Sequence, residues 1–217
     1  MRSRDAVIEA VLIDYGGVFT PSPFVAVERL GAELGAAPGE LVEVMFGPYD
    51  RDTDHPWHRL ERGELPLTAA RVEILALGEA RGLRADLHDF FKAMGSLDGG
   101  IRQEVVEHVR RLKRDGFRTA VVTNNVAEFS EHWRRTLPLE EIFDAVVDSS
   151  DVRCRKPGSE IFRLALARLG TASPDKAVFL DDFPGNVEAA RTFGMHAILV
   201  GEDPADAFAE LDRLLQR

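Results

Sequence analysis

The sequence predicts an α/β fold: a doubly wound parallel β-sheet with helices on both faces and a helical segment inserted near its beginning. Two patterns support this prediction. From about residue 98 onward, short apolar runs rich in Val and Ile alternate with segments of helical periodicity. Residues 20–97 break the alternation, because they carry helical signals and no convincing strand.

The strands of the sheet are predicted from short apolar runs that end in glycine or polar residues. The first strand covers residues 6–13, and later strands cover 119–122, 145–147, 177–180 and 196–200. Helices with apolar residues every three or four positions are predicted over 101–114, 126–137, 159–169, 186–193 and 206–215. Such alternation is typical of a mostly parallel sheet that is covered on both faces.

Residues 20–97 are predicted to form a separate helical unit. Helical spacing recurs over 26–34, 41–45, 68–81 and 87–94. The unit begins just after the loop of the first strand, and ligands of such sheets bind beyond the carboxyl ends of the strands. We therefore expect an α-helical cap domain over 20–97 and an α/β core formed by 1–19 and 98–217.

The composition disfavours several classes of function. The 217 residues carry a formal net charge of −10, which argues against a nucleic acid or an anionic membrane as the main partner. The apolar run near the N-terminus is short and contains Glu9, so neither a signal peptide nor a membrane span is expected. Cys154 is the single cysteine, which excludes an intrachain disulfide and favours a reducing compartment. We expect a cytoplasmic monomer or homodimer.

Polar residues follow the first two strands of the predicted core. Asp14 is followed by Gly16 and Gly17, which places an oxygen nucleophile beside backbone N–H groups that an anion can approach. Taken alone, an Asp beside glycines is more often a turn. Thr123 and Asn124 follow the second strand, where a hydroxyl and N–H groups could bind phosphate oxygens or simply cap a helix.

Two further clusters complete the pattern. Lys156 precedes a proline, and a lysine near a phosphate and a carboxylate would stabilise a transferring group, although most loop lysines are merely solvated. Asp181 and Asp182 end another strand, five and four residues before Asn186. Adjacent carboxylates repel each other unless a cation compensates, and an oxygen-only site of this kind suits Mg²⁺.

The order of these clusters resembles the haloacid dehalogenase superfamily. Its members have an Asp nucleophile after the first strand, Ser or Thr after the second, a lysine before a later helix and paired acids after the fourth strand, on a Rossmann-like core. The resemblance covers essentially the whole chain. The insertion matches the placement of the cap in the branch that has its cap between the first two motifs, and the stretch 57–65 resembles a cap segment of phosphatase-like members.

The resemblance implies a Mg²⁺-dependent phosphohydrolase that acts on a small phosphorylated metabolite. Asp14 would attack the phosphorus of a phosphomonoester and form an aspartyl-phosphate, which water then hydrolyses. Asp14, the Gly16 carbonyl and Asp182 would hold Mg²⁺, and Asp181 with Asn186 would support the metal shell. The residues implied in binding the phosphoryl group are Gly17, Thr123, Asn124 and Lys156.

Gly16 departs from the usual phosphatase pattern, which has a second aspartate at this position that acts as general acid and base. Such catalysis typically contributes about 10²–10⁴-fold. The enzyme could therefore be slower, could favour a good leaving group such as that of a sugar 1-phosphate or an acyl phosphate, or could take the proton from the cap. The candidate proton donors in the cap are Asp54, His55 and His58.

Two alternatives stay open at this level. Hydrolytic 2-haloacid dehalogenases of the superfamily also lack the second aspartate and need no metal, but they usually lack the paired acids that Asp181 and Asp182 represent. A degenerate, non-catalytic binding or regulatory protein would keep the fold without turnover. The cap sequence gives no code for the substrate, and Phe46 and Trp57 are expected to belong to the cap core.

Overall fold

Five parallel strands form a single sheet in the order β3-β2-β1-β4-β5 in the computed structural model, which describes residues 7–171 and 173–216. The strands are β1 (Ala10–Ile13), β2 (Arg118–Thr123), β3 (Ala145–Asp148), β4 (Ala177–Asp181) and β5 (His196–Leu199). This confirms the doubly wound parallel sheet. The first strand begins later than predicted, and residue 6 lies outside the described residues.

The register of β1 positions the functional loops. Ile13 pairs with Val121 of β2 and with Leu180 of β4. The backbone N–H of Asp14 donates to the Leu180 carbonyl at 2.9 Å, so Asp14 lies beside Asp181 just beyond the last paired residues. The chain winds outward from β1 in both directions, and loops from its two neighbours meet at this point, as expected where the strand order reverses.

Helices cover both faces of the sheet because alternate residues of each strand point to opposite sides. The core helices are α6 (Gln103–Arg114), α7 (Ser130–Arg134), α8 (Leu139–Ile142), α9 (Ser149–Val152), α10 (Ser159–Leu169), α11 (Pro184–Phe193) and α12 (Ala205–Leu215). On one face, α6 and α12 pack against Val11 and Ile13. On the other face, α10 and α11 pack against Leu12.

The predicted helix over residues 126–137 is wrong as a single element. The chain instead forms a 3-10 turn (Ala127–Phe129) followed by the short α7 and α8. The Thr136 hydroxyl donates to the Trp133 carbonyl at 2.6 Å and so competes with the helical ladder. Pro138 has no N–H with which to continue the ladder. The short α9 was not predicted; the Asp148 side chain caps it by accepting from the N–H of Ser150 at 3.1 Å.

Five helices lie within residues 20–97, in agreement with the helical signals there. They are α1 (Pro23–Glu33), α2 (Glu40–Phe46), α3 (Pro56–Glu61), α4 (Leu67–Glu79) and α5 (Leu87–Gly95). Their apolar faces form a cluster separate from the two on the sheet, and Val126 joins that cluster from the core. Arg102 links the two ends of the segment, since its N–H donates to the Phe19 carbonyl at 2.8 Å and its guanidinium to the Gly17 carbonyl at 2.7 Å. No described helix has the length and apolar character that crossing a bilayer requires.

Candidate active site

Asp14, Lys156 and Asp181 form a buried ion cluster at the carboxyl end of the sheet. The Lys156 Nζ atom lies 2.7 Å from Asp14 Oδ1 and 2.7 Å from Asp181 Oδ2. Burial alone would lower the pKa of Lys156, but the two carboxylates outweigh it and raise that pKa. The ammonium group therefore stays charged at neutral pH and offsets part of the carboxylate charge.

Asp181 is held rigidly by its surroundings. Its Oδ1 accepts from the backbone N–H of Phe183 at 2.8 Å, and the Asn186 amide donates to both of its oxygens at 3.1 Å. Together with Lys156, these donors fix the orientation of a carboxylate that has no solvent exposure. Asn186 thus contacts a predicted metal-site residue, and its role in supporting the metal shell stays a prediction.

The three carboxylates of this site are close enough to share one cation. Oxygens of Asp14, Asp181 and Asp182 lie within 4.8 Å of one another. Burial raises the pKa of Asp14 well above its usual value, and Lys156 only partly opposes that rise. Burial and the neighbouring Asp181 raise the pKa of Asp182 to about 7. Burial is the main cause of both shifts, and the neighbouring carboxylates add to it. Buried carboxylates that form an all-oxygen donor set fit Mg²⁺.

Asn124 links the loop after β2 to the loop that carries Lys156. Its Oδ1 accepts from the N–H of Lys156 at 2.8 Å, and its Nδ2 donates to the Lys156 carbonyl at 3.0 Å. This pair of bonds fixes the backbone from which the lysine reaches the carboxylates. Thr123 is buried beside it, and among the described residues its hydroxyl contacts only the Asn124 carbonyl, at 3.4 Å. The structure thus brings the predicted residues of all four motifs to one edge of the sheet.

A buried ion pair that the sequence did not predict connects α3 to the loop that carries Lys156. The Nε atom of Arg155 lies 2.6 Å from Glu61 Oε2, and both side chains are almost completely buried. The other Glu61 oxygen accepts from the Tyr49 hydroxyl at 2.6 Å and from the Trp57 indole at 2.9 Å. The Arg155 guanidinium also lies 4.6 Å from the centre of the Tyr49 ring. The sequence offered one signal for this pair, a charged residue next to Lys156. The pairing itself could not be predicted, because Glu61 lies 94 positions away from Arg155.

The candidate proton donors of the helical segment occupy different environments. His58 is fully buried, and its Nδ1 lies 2.9 Å from the Thr53 hydroxyl. Burial, the Arg155 charge and His55 lower the pKa of His58 to about 3. Burial also lowers the pKa of His55, whose Nδ1 accepts from the Trp57 N–H at 3.2 Å. His58 is therefore neutral at pH 7, and both Nδ1 atoms already serve local structure.

The titration of His58 predicts a pH-dependent stability. The unfolded chain binds a proton below about pH 6.5, whereas the folded protein binds one only near pH 3. The unfolded state thus holds more protons between these values, and stability falls as pH is lowered. Between pH 6 and pH 4, we expect His58→Asn to reduce the pH dependence of the free energy of unfolding by about 1.4 kcal/mol per pH unit. Denaturant titrations of both proteins measure this, and identical pH profiles would contradict it.

The two glycines after Asp14 make a matched test of the loop. A Cβ atom on Gly17 would lie 2.0 Å from Asp182 Oδ2, and Gly17 has φ +72°. A Cβ atom on Gly16 would meet nothing closer than Pro23 Cδ at 3.5 Å. We expect Gly17→Ala to lower kcat/KM by about 10²-fold by displacing Asp182, and Gly16→Ala to change it far less. Equal losses of kcat/KM in the two variants would show that the close approach of Gly17 to Asp182 does not matter for catalysis.

Known proteins resemble the chain over most of its length. It is 31% identical over 209 residues to acyl-CoA dehydrogenase family member 10 of Mus musculus, covering 95% of this chain but only 19% of that much longer protein. It is 29% identical to protein CbbY of Cereibacter sphaeroides, over 96% of this chain and 92% of that protein. It is 28% identical to a phosphorylated carbohydrates phosphatase of Thermotoga maritima, over 88% and 84% respectively.

Solved structures share the fold. A HAD-like family hydrolase from Porphyromonas gingivalis superposes with a TM-score of 0.70 at 24% identity, over 98% of this chain and all of that one. A HAD family enzyme from Bacteroides thetaiotaomicron, in complex with magnesium and inorganic phosphate, gives 0.59 at 20% identity over 90% and 95%. A dehalogenase with its intermediate complex gives 0.65 at 18% identity over 98% and 99%.

The solved structures agree with the observed fold. The family of haloacid dehalogenase-like hydrolases matches residues 8–194, which include every residue of the buried carboxylate cluster. The predicted resemblance is confirmed at this level. The chain belongs to the haloacid dehalogenase-like hydrolase family.

Proposed function

We propose that this hydrolase is a Mg²⁺-dependent phosphohydrolase that acts on a small phosphomonoester through an aspartyl-phosphate on Asp14. The observation that carries the proposal is the position of Lys156, whose Nζ bridges Asp14 and Asp181 at 2.7 Å each, with Asp182 in the same cluster. Three clustered carboxylates with one ammonium favour a divalent cation, and the charge of that cation would in turn attract an anionic substrate. The phosphatase relative from Thermotoga maritima supports the same reaction class.

Asp14, Asp182 and the carbonyl of Gly16 would hold Mg²⁺, and Asp181 would support it. When bound, the ion supplies positive charge to the phosphoryl oxygens and to the nucleophilic carboxylate. Lys156 offsets the charge on the transferring group from the side of β4, and Asn124 keeps the lysine in place through its backbone. Thr123 and the N–H groups of Gly17 and Asn124 would bind the remaining phosphoryl oxygens.

The reaction divides into two displacements at phosphorus. An Asp14 oxygen forms a bond to phosphorus, and the ester P–O bond breaks with its electron pair going to the leaving oxygen. Water then attacks the phosphorus of the aspartyl-phosphate, so that the bond to Asp14 breaks and phosphate leaves. Catalysis by this site rests mainly on positioning and charge neutralisation, because Gly16 supplies no side-chain acid or base.

Residues 20–97 would act as the cap domain of this enzyme, over a core formed by 1–19 and 98–217. Their separate apolar cluster supports this division. The aromatic pairs Phe24–Phe183 and Phe91–Phe129 join the helical segment to the core, with ring centroids 4.9 Å and 4.7 Å apart. Closing the site in this way would exclude water from the transferring group.

A 2-haloacid dehalogenase is the competing reaction, and the absence of an acid at Gly16 is compatible with it. Such a substrate brings a carboxylate that must be bound in addition to the reacting carbon. Without a metal, the paired Asp181 and Asp182 would repel that anion, whereas in a metal-dependent phosphohydrolase the bound cation would offset their charge. The charge balance of the site therefore favours attack at phosphorus.

Phosphate release from a panel of phosphomonoesters tests the proposal. The panel contains a sugar 1-phosphate, an acyl phosphate and an aryl phosphate, each assayed with Mg²⁺ and with EDTA. We expect release that requires Mg²⁺. A folded, Mg²⁺-loaded protein that releases no phosphate but frees halide from a 2-haloacid would establish the competing reaction, and no turnover of either kind would point to a binding protein.

Restoring an acid at position 16 should accelerate turnover of substrates with poor leaving groups. The space beside Gly16 accepts a Cβ atom, with Pro23 Cδ at 3.5 Å. We expect Gly16→Asp to raise kcat/KM for an alkyl phosphate by about 10-fold or more, toward the contribution general acids make, and to raise that for an acyl phosphate much less. Gly16→Asn is the matched control that adds bulk without an acid. Equal effects of the two substitutions would contradict the assignment.

A further inference from the structure

A small cavity lies between the helical segment and the phosphoryl-binding edge of the core. Its volume is about 240 Å³, and its floor includes Gly16, Thr123 and Asn124. Those residues follow the first two strands of the core, so the cavity lies next to the phosphoryl-binding residues of the proposed reaction. The part of a substrate that leaves with the ester oxygen would occupy this space.

Aromatic rings form a large part of the cavity wall. Six of them come from the helical segment: Phe24, Phe46, Tyr49, Trp57, Phe90 and Phe91. They contact one another at the separations typical of aromatic clusters, for example 4.6 Å between Phe46 and Trp57 and 5.3 Å between Phe46 and Phe90. Phe46 and Trp57 therefore belong both to the core of the helical segment and to the cavity wall. The sequence predicted only the first of these two roles.

The cavity offers little to a charged or hydroxyl-rich leaving group. None of the described residues that line it is a lysine or an arginine. Its carboxylate, Glu61, has one oxygen bonded to Tyr49 and Trp57 and the other to Arg155. The polar groups in the wall, among them Thr20, Asn125 and His132, are few beside the apolar rings. A sugar bound here would leave hydroxyl groups against those rings, which costs binding energy for each unpaired group.

The size of the cavity limits the leaving group to about one ring. An engineered apolar cavity of about 150 Å³ binds benzene, so about 240 Å³ accommodates a single substituted ring. Ligand pockets for larger molecules span roughly 300–1,000 Å³. A long acyl chain or a fused polycycle would extend beyond this cavity.

Gly16 adds an independent chemical constraint. With no carboxylic acid at this position, the site favours a leaving oxygen that can depart without a proton from the enzyme. A phenol oxygen has a pKa near 10, as in tyrosine, and leaves as an anion far more readily than an ordinary alkoxide. A single aromatic ring fits the wall and the volume of the cavity, and a phenolate can leave without the missing acid. The same substrate class therefore meets all three constraints.

We infer that the preferred substrate is the phosphate monoester of a single-ring phenol, with the ring bound in the aromatic cavity. This inference rests on the proposed phosphohydrolase function. The phosphoryl group would lie at Asp14 and Lys156, while the ring would lie against Trp57 and Phe91. Attack by Asp14 would release a phenolate, which takes its proton from water.

Phenyl phosphate and cyclohexyl phosphate form a pair of nearly equal size that tests the inference, with glucose 6-phosphate as the hydroxyl-rich competitor. We expect kcat/KM for phenyl phosphate to exceed both others by at least about 10²-fold. A preference for glucose 6-phosphate, with turnover dependent on Asp14, would overturn the inference and leave the proposed function standing. Absence of Asp14-dependent turnover on any phosphate ester would instead overturn the proposed function.

Substitutions in the wall separate the contribution of the aromatic cavity from the reactivity of the leaving group. We expect Phe91→Leu, which keeps apolar volume, to lower the kcat/KM ratio of phenyl phosphate to acetyl phosphate by about three- to tenfold, mainly through KM. Phe193→Leu, on α11 and outside the cavity, should leave that ratio unchanged. An unchanged ratio in Phe91→Leu, with its fold verified by thermal unfolding, would overturn the placement of the ring.

Discussion

Replacing Asp14 with asparagine should lower Mg²⁺-dependent phosphate release by about 10⁴-fold or more, as the loss of a nucleophile does in other covalent enzymes. The side-chain amide that the substitution introduces cannot form the acyl phosphate. The substitution keeps the size of the side chain and an oxygen that can accept from the N–H of Tyr15, which now donates to Asp14 Oδ1 at 2.7 Å. The change therefore removes the nucleophile and one of the two carboxylate charges that face Lys156, while it preserves the backbone contact.

Steady-state assays of phosphate release measure this loss. Asp175→Asn is the matched control, because Asp175 lies in the 3-10 turn before β4 and its substitution leaves the carboxylate cluster intact. Thermal unfolding of both variants verifies the fold. Retention of turnover in Asp14→Asn would assign the nucleophile to another group and would remove the basis for the proposed mechanism.

Breaking the buried ion pair of Arg155 and Glu61 should strongly lower the free energy of unfolding. Removing one partner of a buried, hydrogen-bonded ion pair typically costs about 3–5 kcal/mol, because the other charge stays buried without compensation. Arg155→Met would leave the Glu61 carboxylate with only Tyr49 and Trp57 as donors. We expect the free energy of unfolding to fall by that amount, and activity to fall with it because Lys156 follows directly in the chain.

A double-mutant cycle isolates the pair. Glu61→Gln keeps an acceptor for Tyr49 and Trp57 but removes the charge that faces Arg155. We expect each single variant to be strongly destabilised and the double variant to be more stable than the sum of the two losses predicts. Denaturant unfolding measures all four proteins. Additive losses would mean that the two side chains do not interact energetically, despite their 2.6 Å separation.

The sequence allowed the sheet and the motif residues to be predicted because both depend on local patterns. Strand ends place Asp14, Thr123 and Asp181 at one edge whatever the detailed packing, since parallel strands end on the same side. The helical segment was recognisable for the same reason, as a break in the alternation. The position of each side chain within the site required the structure.

The contacts that local patterns could not reveal join residues far apart in sequence. The bonds between Asn124 and Lys156 depend on how two loops meet, and the pair of Arg155 and Glu61 depends on how α3 docks on the core. The aromatic cavity has the same origin, because its wall combines helices of the inserted segment with loops of the sheet. The helix predicted over residues 126–137 failed where side-chain bonds and a proline outweighed apolar periodicity.

The most direct test of the central claim is a pre-steady-state burst with 4-nitrophenyl phosphate, followed by acid quench and peptide mass spectrometry. Because Gly16 supplies no base to activate water, the second displacement should be slow and the aspartyl-phosphate should accumulate. We expect a Mg²⁺-dependent burst of 4-nitrophenol equal to the concentration of active sites, with a phosphoryl group on the peptide that contains Asp14. Linear release with no burst, and phosphate set free without any modification of that peptide, would contradict catalysis through Asp14.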